Sequence, residues 1–191
     1  KVVIIGSGNV AQHLIKVMQI AANVNLVQVF ARNKKSINHL VKDDKITSDY
    51  NAIKEADVYI ISVSDNAIAE VAENLPFKNR LVVHTSGTSE LSVLDDKNRK
   101  GVFYPLQTFS KSKAIDFKAV PLCLETENDN DYVVLETLAK IISERVFKIS
   151  SEQRQSLHVA AVFSCNFVNH LYQLGKEICD ENKVPFEILL P

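Results

Sequence analysis

The hexapeptide Gly6-Ser7-Gly8-Asn9-Val10-Ala11 follows the apolar run Val2-Val3-Ile4-Ile5 and opens a helical pattern. Residues of these types at this spacing can hold a diphosphate. Gly6 permits a tight turn out of a strand, Gly8 lets backbone amides approach a pyrophosphate, and Ala11 lets helix and sheet pack closely. Unpaired N–H groups at the positive end of the helix dipole would meet the phosphate charge, so the whole turn, with Ser7, Asn9 and Val10, is expected to bind a dinucleotide. Folds that prefer NAD carry an Asp or Glu for the ribose 2′-hydroxyl about 20 residues further on. Here that position reads Phe30-Ala31-Arg32-Asn33-Lys34-Lys35, with no acid. Arg32 can stack on adenine and pair with a 2′-phosphate, with Asn33, Lys34 and Ser36 as further donors, so NADP is expected over NAD.

Three later segments carry polar residues that a purely structural loop does not need. Ser62, Val63 and Ser64 end an apolar run and are small enough for backbone to approach the nicotinamide-side ribose. Asn66 is expected to cap the next helix, to donate to that ribose, or both. In His84-Thr85-Ser86-Gly87-Thr88 the imidazole could deliver a proton during hydride transfer, with Ser86 and the Gly87 backbone binding a carboxylate or carbonyl. A histidine there can equally be a strand-end residue with a structural hydrogen bond only. In Tyr104-Pro105-Leu106-Gln107-Thr108, Gln107 and Tyr104 read as packing and as lining of a substrate cleft. A long helix further on supplies a second polar set. At about 100° per residue His158, Cys165 and Asn169 fall within about 40° of one another, and Asn166 and His170 form an i, i+4 pair. Asn166, Asn169 and His170 are candidates to line the substrate site, with His170 as a second possible proton donor, whereas His158 reads as a satisfied core histidine. Neither a carboxylate nor a second cysteine completes a zinc set, and no metal is expected.

Placing these groups together demands a particular order of elements. Val10, Leu14, Ile15, Val17 and Met18 have helical spacing over 10–20, and an apolar strand follows at 26–30. This is a strand–helix–strand unit of about 30 residues, the size of a nucleotide-binding half. Further strands are predicted at 58–63, 81–84, 102–104, 120–124 and 146–149, helices at 36–41, 66–74 and 132–142, and a short element near Ile46. Such alternation, with several uniformly apolar strands, predicts an α/β, doubly wound, mainly parallel sheet covered on both faces. Ser150 and Gln153 form a capping box, after which 152–181 reads as one long helix. A nucleotide-binding domain is therefore expected over 1–150, and the beginning of an all-helical substrate and dimerisation domain over 151–191. The acidic stretch 125–131 reads as a solvated loop.

Composition narrows the partners. The 191 residues suffice for one domain of roughly 150 and part of another. A formal net charge of −1 with charges interspersed argues against nucleic acid and membrane surfaces. The apolar runs fall far short of the roughly 20 residues of a membrane span, and no signal segment precedes the first strand, so a cytoplasmic protein acting on a small molecule is expected. Cys123, Cys165 and Cys179, odd in number and in apolar surroundings, predict reduced, buried thiols. The chain opens on Lys1 beside a core strand and stops at Leu189-Leu190-Pro191, which reads as a sequence that continues further. Phe163, Phe167 and Leu171 on one apolar face predict a homodimer.

Taken together, the glycine turn Gly6 to Ala11, His84-Thr85-Ser86-Gly87-Thr88, Gly101-Val102-Phe103-Tyr104-Pro105-Leu106-Gln107-Thr108-Phe109, Ser151-Glu152-Gln153-Arg154 and Leu157-His158-Val159-Ala160-Ala161 resemble a known group. They look like the Rossmann-like NADP oxidoreductases with a C-terminal helical domain of unassigned function. That group is related by analogy to deazaflavin-dependent NADP oxidoreductases and pyrroline-5-carboxylate reductases. The resemblance spans essentially the whole chain. It implies an N-terminal Rossmann domain, a helical C-terminal domain that mediates dimerisation, and an NADP site on Gly6, Gly8, Ala11 and Arg32. It names no substrate, and the catalytic lysine of β-hydroxyacid dehydrogenases has no match on the helix 152–174. The expectation is an NADP-dependent oxidoreductase whose small substrate lies between the strand ends and the C-terminal helices. The rival is an NADP-binding sensor or scaffold without turnover.

Overall fold

The structure, a computed structural model, describes residues 1–110 and 115–189; Leu190 and Pro191 of the terminal apolar run lie outside it. The uniformly apolar segments form the strands β1 (Val2–Ile5), β2 (Leu26–Phe30), β3 (Ile46–Thr47), β4 (Val58–Ile61), β5 (Leu81–His84), β6 (Arg99–Pro105), β7 (Leu122–Thr126) and β8 (Val146–Lys148). They make one 8-stranded sheet in the order β3-β2-β1-β4-β5-β6-β7-β8. Every pairing is parallel except β6 with β7. The doubly wound, mainly parallel α/β architecture read from the sequence is the one observed.

Both faces of the sheet are covered, which is why its central strands need no polar alternation. On one face pack α1 (Asn9–Ile20) and α3 (Asp129–Ile142), burying Leu14, Ile15, Met18, Leu135 and Ile142 against Ile4, Ile60 and Phe103. Each such side chain contributes on the order of 1.5–3 kcal/mol on leaving water. The other face takes α2 (Ile68–Glu73), with Ile68, Val71 and Ala72 against Val3, Ile5, Tyr59 and Val82.

Several local expectations are corrected. The helix predicted at 36–41 is a 3-10 turn, Lys34–Ser36, followed by hydrogen-bonded turns that bury Ile37 and Val41. A stretch this short gains too few bonds to repay helix nucleation. Asn66 caps no helix: it lies within the 3-10 turn Asp65–Ala67, and the residue ahead of α2 is Ala67. The acidic stretch is not a solvated loop. Glu125 and Thr126 finish β7, Asn128 caps α3 by accepting the Asp131 N–H at 2.9 Å, and Asp131, 1% exposed, pairs with Arg99. Of the thiols only Cys123 is buried; Cys165 is exposed and Cys179 half-buried.

The capping box is present in both directions: the Ser150 N–H donates to Gln153 Oε1 at 2.9 Å and the Gln153 N–H to Ser150 Oγ at 3.2 Å. It starts α4 (Ser151–Ala161), which passes through a π turn (Val162–Phe167) into α5 (Val168–Glu181). The single regular helix predicted here is thus interrupted. A π turn inserts extra backbone, so angular positions counted at 100° per residue from His158 do not carry across to Cys165 and Asn169. The chain divides into two compact units, Lys1–Arg154 and Gln155–Pro191. Among the described residues no helix is long and apolar enough to cross a membrane, and no three His, Cys, Asp or Glu are grouped to hold a metal ion.

Candidate functional site

Parallel pairing brings the carboxyl ends of five strands to one edge. Ile5 is level with Phe30 on one side and with Ile61 on the other, Ile61 with His84, and His84 with Val102. The backbone ladder runs one residue further at each step, from Gly6 N–H to Phe30 O (2.9 Å), Ser62 N–H to Ile5 O (2.7 Å) and Thr85 N–H to Ile61 O (3.1 Å). After β1 the chain leaves toward β2, and after β4 it leaves toward β5. This divergence opens the crevice in which such sheets bind ligands.

Gly6 and Gly8 serve different needs. Gly6 is buried with φ +138°, and a Cβ there would overlap the Ser62 carbonyl oxygen and lie 2.7 Å from its carbon. Gly8 is exposed with φ −71°, and a Cβ there would meet nothing within 4 Å. Gly8 stands at the amino end of α1, where no side chain caps the helix and the first turn has no acid. Its N–H groups and dipole are therefore left for an anion, and the open approach at Gly8 suits a diphosphate. Ala11 is fully buried under the sheet, Val10 packs beside it, and Ser7 is half-buried with its carbonyl accepting from Gln12 Nε2 at 3.0 Å. Gln12, 4% exposed, braces the turn from within the helix. Asn9 is exposed and donates through Nδ2 to the Phe109 carbonyl at 3.0 Å, while His13 Nε2 bonds the Ser110 carbonyl at 2.9 Å. The segment after β6 is thereby fastened to the start of α1.

Beyond β2, Arg32, Asn33, Lys34 and Lys35 are all exposed, and no ion pair among the described residues engages them. Asn33 Oδ1 accepts the Lys35 N–H at 3.1 Å, which leaves the Asn33 amide N–H groups for a ligand. Tyr50, stacked on Phe30 with ring centroids 4.3 Å apart, lies within electrostatic range of Arg32. Exposed cations and amide donors therefore stand together at the second strand end, where they can meet an anion.

The ends of β4 and β5 are knitted by hydroxyls. Ser62 is buried and accepts from Thr85 Oγ1 at 3.2 Å; Val63 is half-buried, and Ser64 and Asn66 are exposed. Ser86, 6% exposed, accepts the Thr88 N–H (3.1 Å) and the Ser89 N–H (2.9 Å) on Oγ, which lies 3.3 Å from Thr88 Oγ1. Thr88 Oγ1 donates to Asp65 Oδ2 at 2.6 Å. The Ser86 hydroxyl therefore shapes the turn, and the solvent-facing pair is Thr88 with Asp65, beside the buried Gly87. Asp65 was not legible as a site residue, because an acid one place before a short helix reads as a simple cap. Gln107 is exposed, with its Oε1 accepting the Thr108 N–H at 2.8 Å.

His84 does not have the environment of an imidazolium. It is 0% exposed, its Nδ1 accepts the Ser86 N–H at 3.2 Å, and its Nε2 has no hydrogen-bond partner among the described residues. Burial first and then the Arg154 charge pull its pKa down to about 4, opposed by the Glu90 backbone and by Asp65. At neutral pH it is a neutral ring with the proton on Nε2, and its full burial favours the strand-end structural reading over that of a proton donor. Burial likewise pushes Tyr104 up to about 12 and Cys123 up to about 11. Arg154 and Glu125, seen in the sequence as part of a helix-start block and of an acidic stretch, were not read as a pair: a buried arginine on a polar helix start leaves no periodic trace. Asn166, Asn169 and His170 belong to the second unit and are exposed on the π turn and α5.

The family model described as NADP oxidoreductase, coenzyme F420-dependent, matches residues 1–87, and that of a domain of unknown function, DUF2520, matches residues 120–191. Comparison with curated proteins finds no match. Among solved structures, a Bacteroides fragilis protein described as a "putative NADP oxidoreductase" shares 38% identity over 100% of this chain and 76% of that one, with a TM-score of 0.85. A Thermotoga maritima protein shares 20% over 100% of this chain and 75% of that one (TM-score 0.76). A pyrroline-5-carboxylate reductase from Coxiella burnetii shares 16% over 98% of this chain and 73% of that one (TM-score 0.70). These last two attest the fold. With the first likeness running the full length of a sheet whose glycine turn is shaped for a diphosphate, the chain belongs to the family of Rossmann-fold NADP oxidoreductases that carry a C-terminal domain of unknown function.

Proposed function

We propose that this protein is an NADP-dependent oxidoreductase acting on a small molecule held at the carboxyl ends of β4, β5 and β6. The observation that carries the reading is the uncapped, acid-free amino end of α1 at Gly8, paired with the exposed cations at the end of β2. Gly6 to Ala11 would hold the diphosphate, and Arg32, Asn33 and Lys34 the 2′-phosphate. NADP, when bound, supplies the hydride carrier. The chain's own part is to orient and polarise the substrate. The Gly87 peptide offers a hydrogen bond to a carbonyl or carboxylate, and Thr88, whose hydroxyl proton goes to Asp65, presents its oxygen as an acceptor, while neutral His84 fixes the turn that bears them.

Fluorescence titration tests the cofactor reading. NADP is expected to bind at least tenfold more tightly than NAD, and Arg32→Ala to remove most of that preference, since a charge-assisted pair contributes about 1.5–3 kcal/mol. Equal affinities in the unaltered protein, or unchanged NADP binding in Arg32→Ala, would sink it. Turnover is then sought as NADPH absorbance loss with imines and 2-oxo acids; tight binding with no turnover across such a panel would favour a sensor.

We further propose that the second unit pairs with a second copy of the chain. Phe163, Phe167, Leu171 and Ile178 are each more than half exposed, a larger apolar surface than a lone soluble helix normally carries. Light scattering is expected to give twice the chain mass, and a strictly monomeric mass at micromolar concentration would refute the pairing.

A further inference from the structure

Arg154, in the first turns of α4, is 0% exposed, yet it carries a full charge. Its Nη1 donates to Glu125 Oε2, and its Nη2 to the Ser89 carbonyl and, at 3.1 Å, to Ser151 Oγ. The Glu125 carboxylate also accepts the Ser151 N–H and the Ser151 hydroxyl, each at 2.8 Å. A guanidinium removed from water costs several kcal/mol unless its partners are well aimed, and the planar fork allows it to hold a carboxylate and a carbonyl at once.

The consequence falls on Ser89. Its carbonyl is held by Arg154 while its N–H donates to Ser86 Oγ at 2.9 Å, so both sides of one residue are fixed between the guanidinium and the hydroxyl. The same hydroxyl takes the Thr88 N–H, and Thr88 in turn reaches Asp65. We propose that Arg154, clamped by Glu125, is the positioning residue of the 86–89 turn, and that it sets the direction in which Thr88 and the Gly87 peptide face the substrate. The proposal rests on the reading of this turn as the substrate edge. It adds a residue that lies outside the crevice and acts through a single carbonyl.

The test compares Arg154→Lys and Glu125→Gln with the unaltered full chain. Lysine keeps the charge and can hold Glu125, but without the planar fork it does not hold the Ser89 carbonyl in the same geometry; Glu125→Gln keeps one of the two acceptor oxygens, puts an NH2 donor in place of the other, and so loosens the clamp from the other side. Amide exchange at Thr88 and Ser89 is expected to quicken by about tenfold or more in Arg154→Lys, while β1 and β4 stay as protected as before. NADP affinity should stay within about threefold, because Arg154 does not touch the glycine turn. A merely structural arginine would lower global stability and quicken exchange in β1 and β4 as much as at Thr88 and Ser89, which would overturn the proposal. Should Arg154→Lys fail to fold, the same exchange comparison in Glu125→Gln decides. If the unaltered protein binds no NADP while the turn still loosens, the cofactor reading falls and the positioning role stands.

Discussion

Gly6→Ala is expected to unfold the nucleotide-binding unit, whereas Gly8→Asp should leave it as stable as before, or slightly more so, and abolish cofactor binding. The two glycines lie two places apart, and the sequence motif gives them equal weight. At Gly6 the backbone has φ +138°, which side chains rarely adopt, and a Cβ would collide with the Ser62 carbonyl. Both partners are backbone held in the ladder just past the carboxyl ends of the two central strands, so neither can yield cheaply, and a cost of about 4 kcal/mol or more is expected, a large share of a typical domain's 5–15 kcal/mol. At Gly8 the conformation is ordinary and the space open. Aspartate there is a good N-cap for α1, worth about 0.5–1 kcal/mol, but it places a negative charge where a diphosphate must come. NADP affinity should drop by two orders of magnitude or more, judged as about 3 kcal/mol of lost and reversed charge interaction. Thermal melts and NADP titration of both variants check the pair, and Gly8→Asp binding NADP as well as the unaltered protein would remove the turn from the site.

The second large effect is a loss of stability in mild acid caused by His84. Its pKa falls from 6.5 in the unfolded chain to about 4 in the fold. The folded state holds the ring neutral, so unfolding takes up a proton at any pH between these values. The contribution is therefore fully present above pH 6.5 and is lost as the pH falls toward 4, with a slope of about 1.4 kcal/mol per unit and on the order of 3 kcal/mol in all. Arg154 deepens the effect and Asp65 and the Glu90 backbone oppose it, but burial is the main cause. Denaturant melts across pH 7 to 4 should show His84→Gln losing less stability over this range than the unaltered protein. Parallel pH curves would mean that the ring is already charged in the fold.

Periodicity and residue type made much of this protein legible. Apolar runs such as Val2–Ile5 and Val58–Ile61 point to buried strands, the spacing from Val10 to Met18 points to a helix on a sheet, and a Gly–x–Gly turn, weak as a motif by itself, takes its meaning from standing between strand and helix. The basic, acid-free character of the turn after Phe30 was readable because charge follows directly from residue type. Local hydrogen bonds, such as the Ser150–Gln153 box, were equally readable, since both partners lie within one turn.

What depended on distant partners was not readable. Glu125 and Asp131 looked like solvated acids until the fold brought Arg154 and Arg99 to them across 29 and 32 residues. His84 looked like a proton donor because the sequence shows an imidazole at a strand end, whereas its charge is decided by how many atoms exclude water from it. The π turn at Val162–Phe167 likewise shifted the amides of the last helix off the stripe that regular counting assigned them. Sequence alone determined the sheet, the glycine turn and the sign of charge at the second strand end, because these follow from neighbours in the chain. Tertiary structure alone decided which polar groups are buried, neutral or paired, because desolvation and ion pairing are set by atoms that only folding brings near.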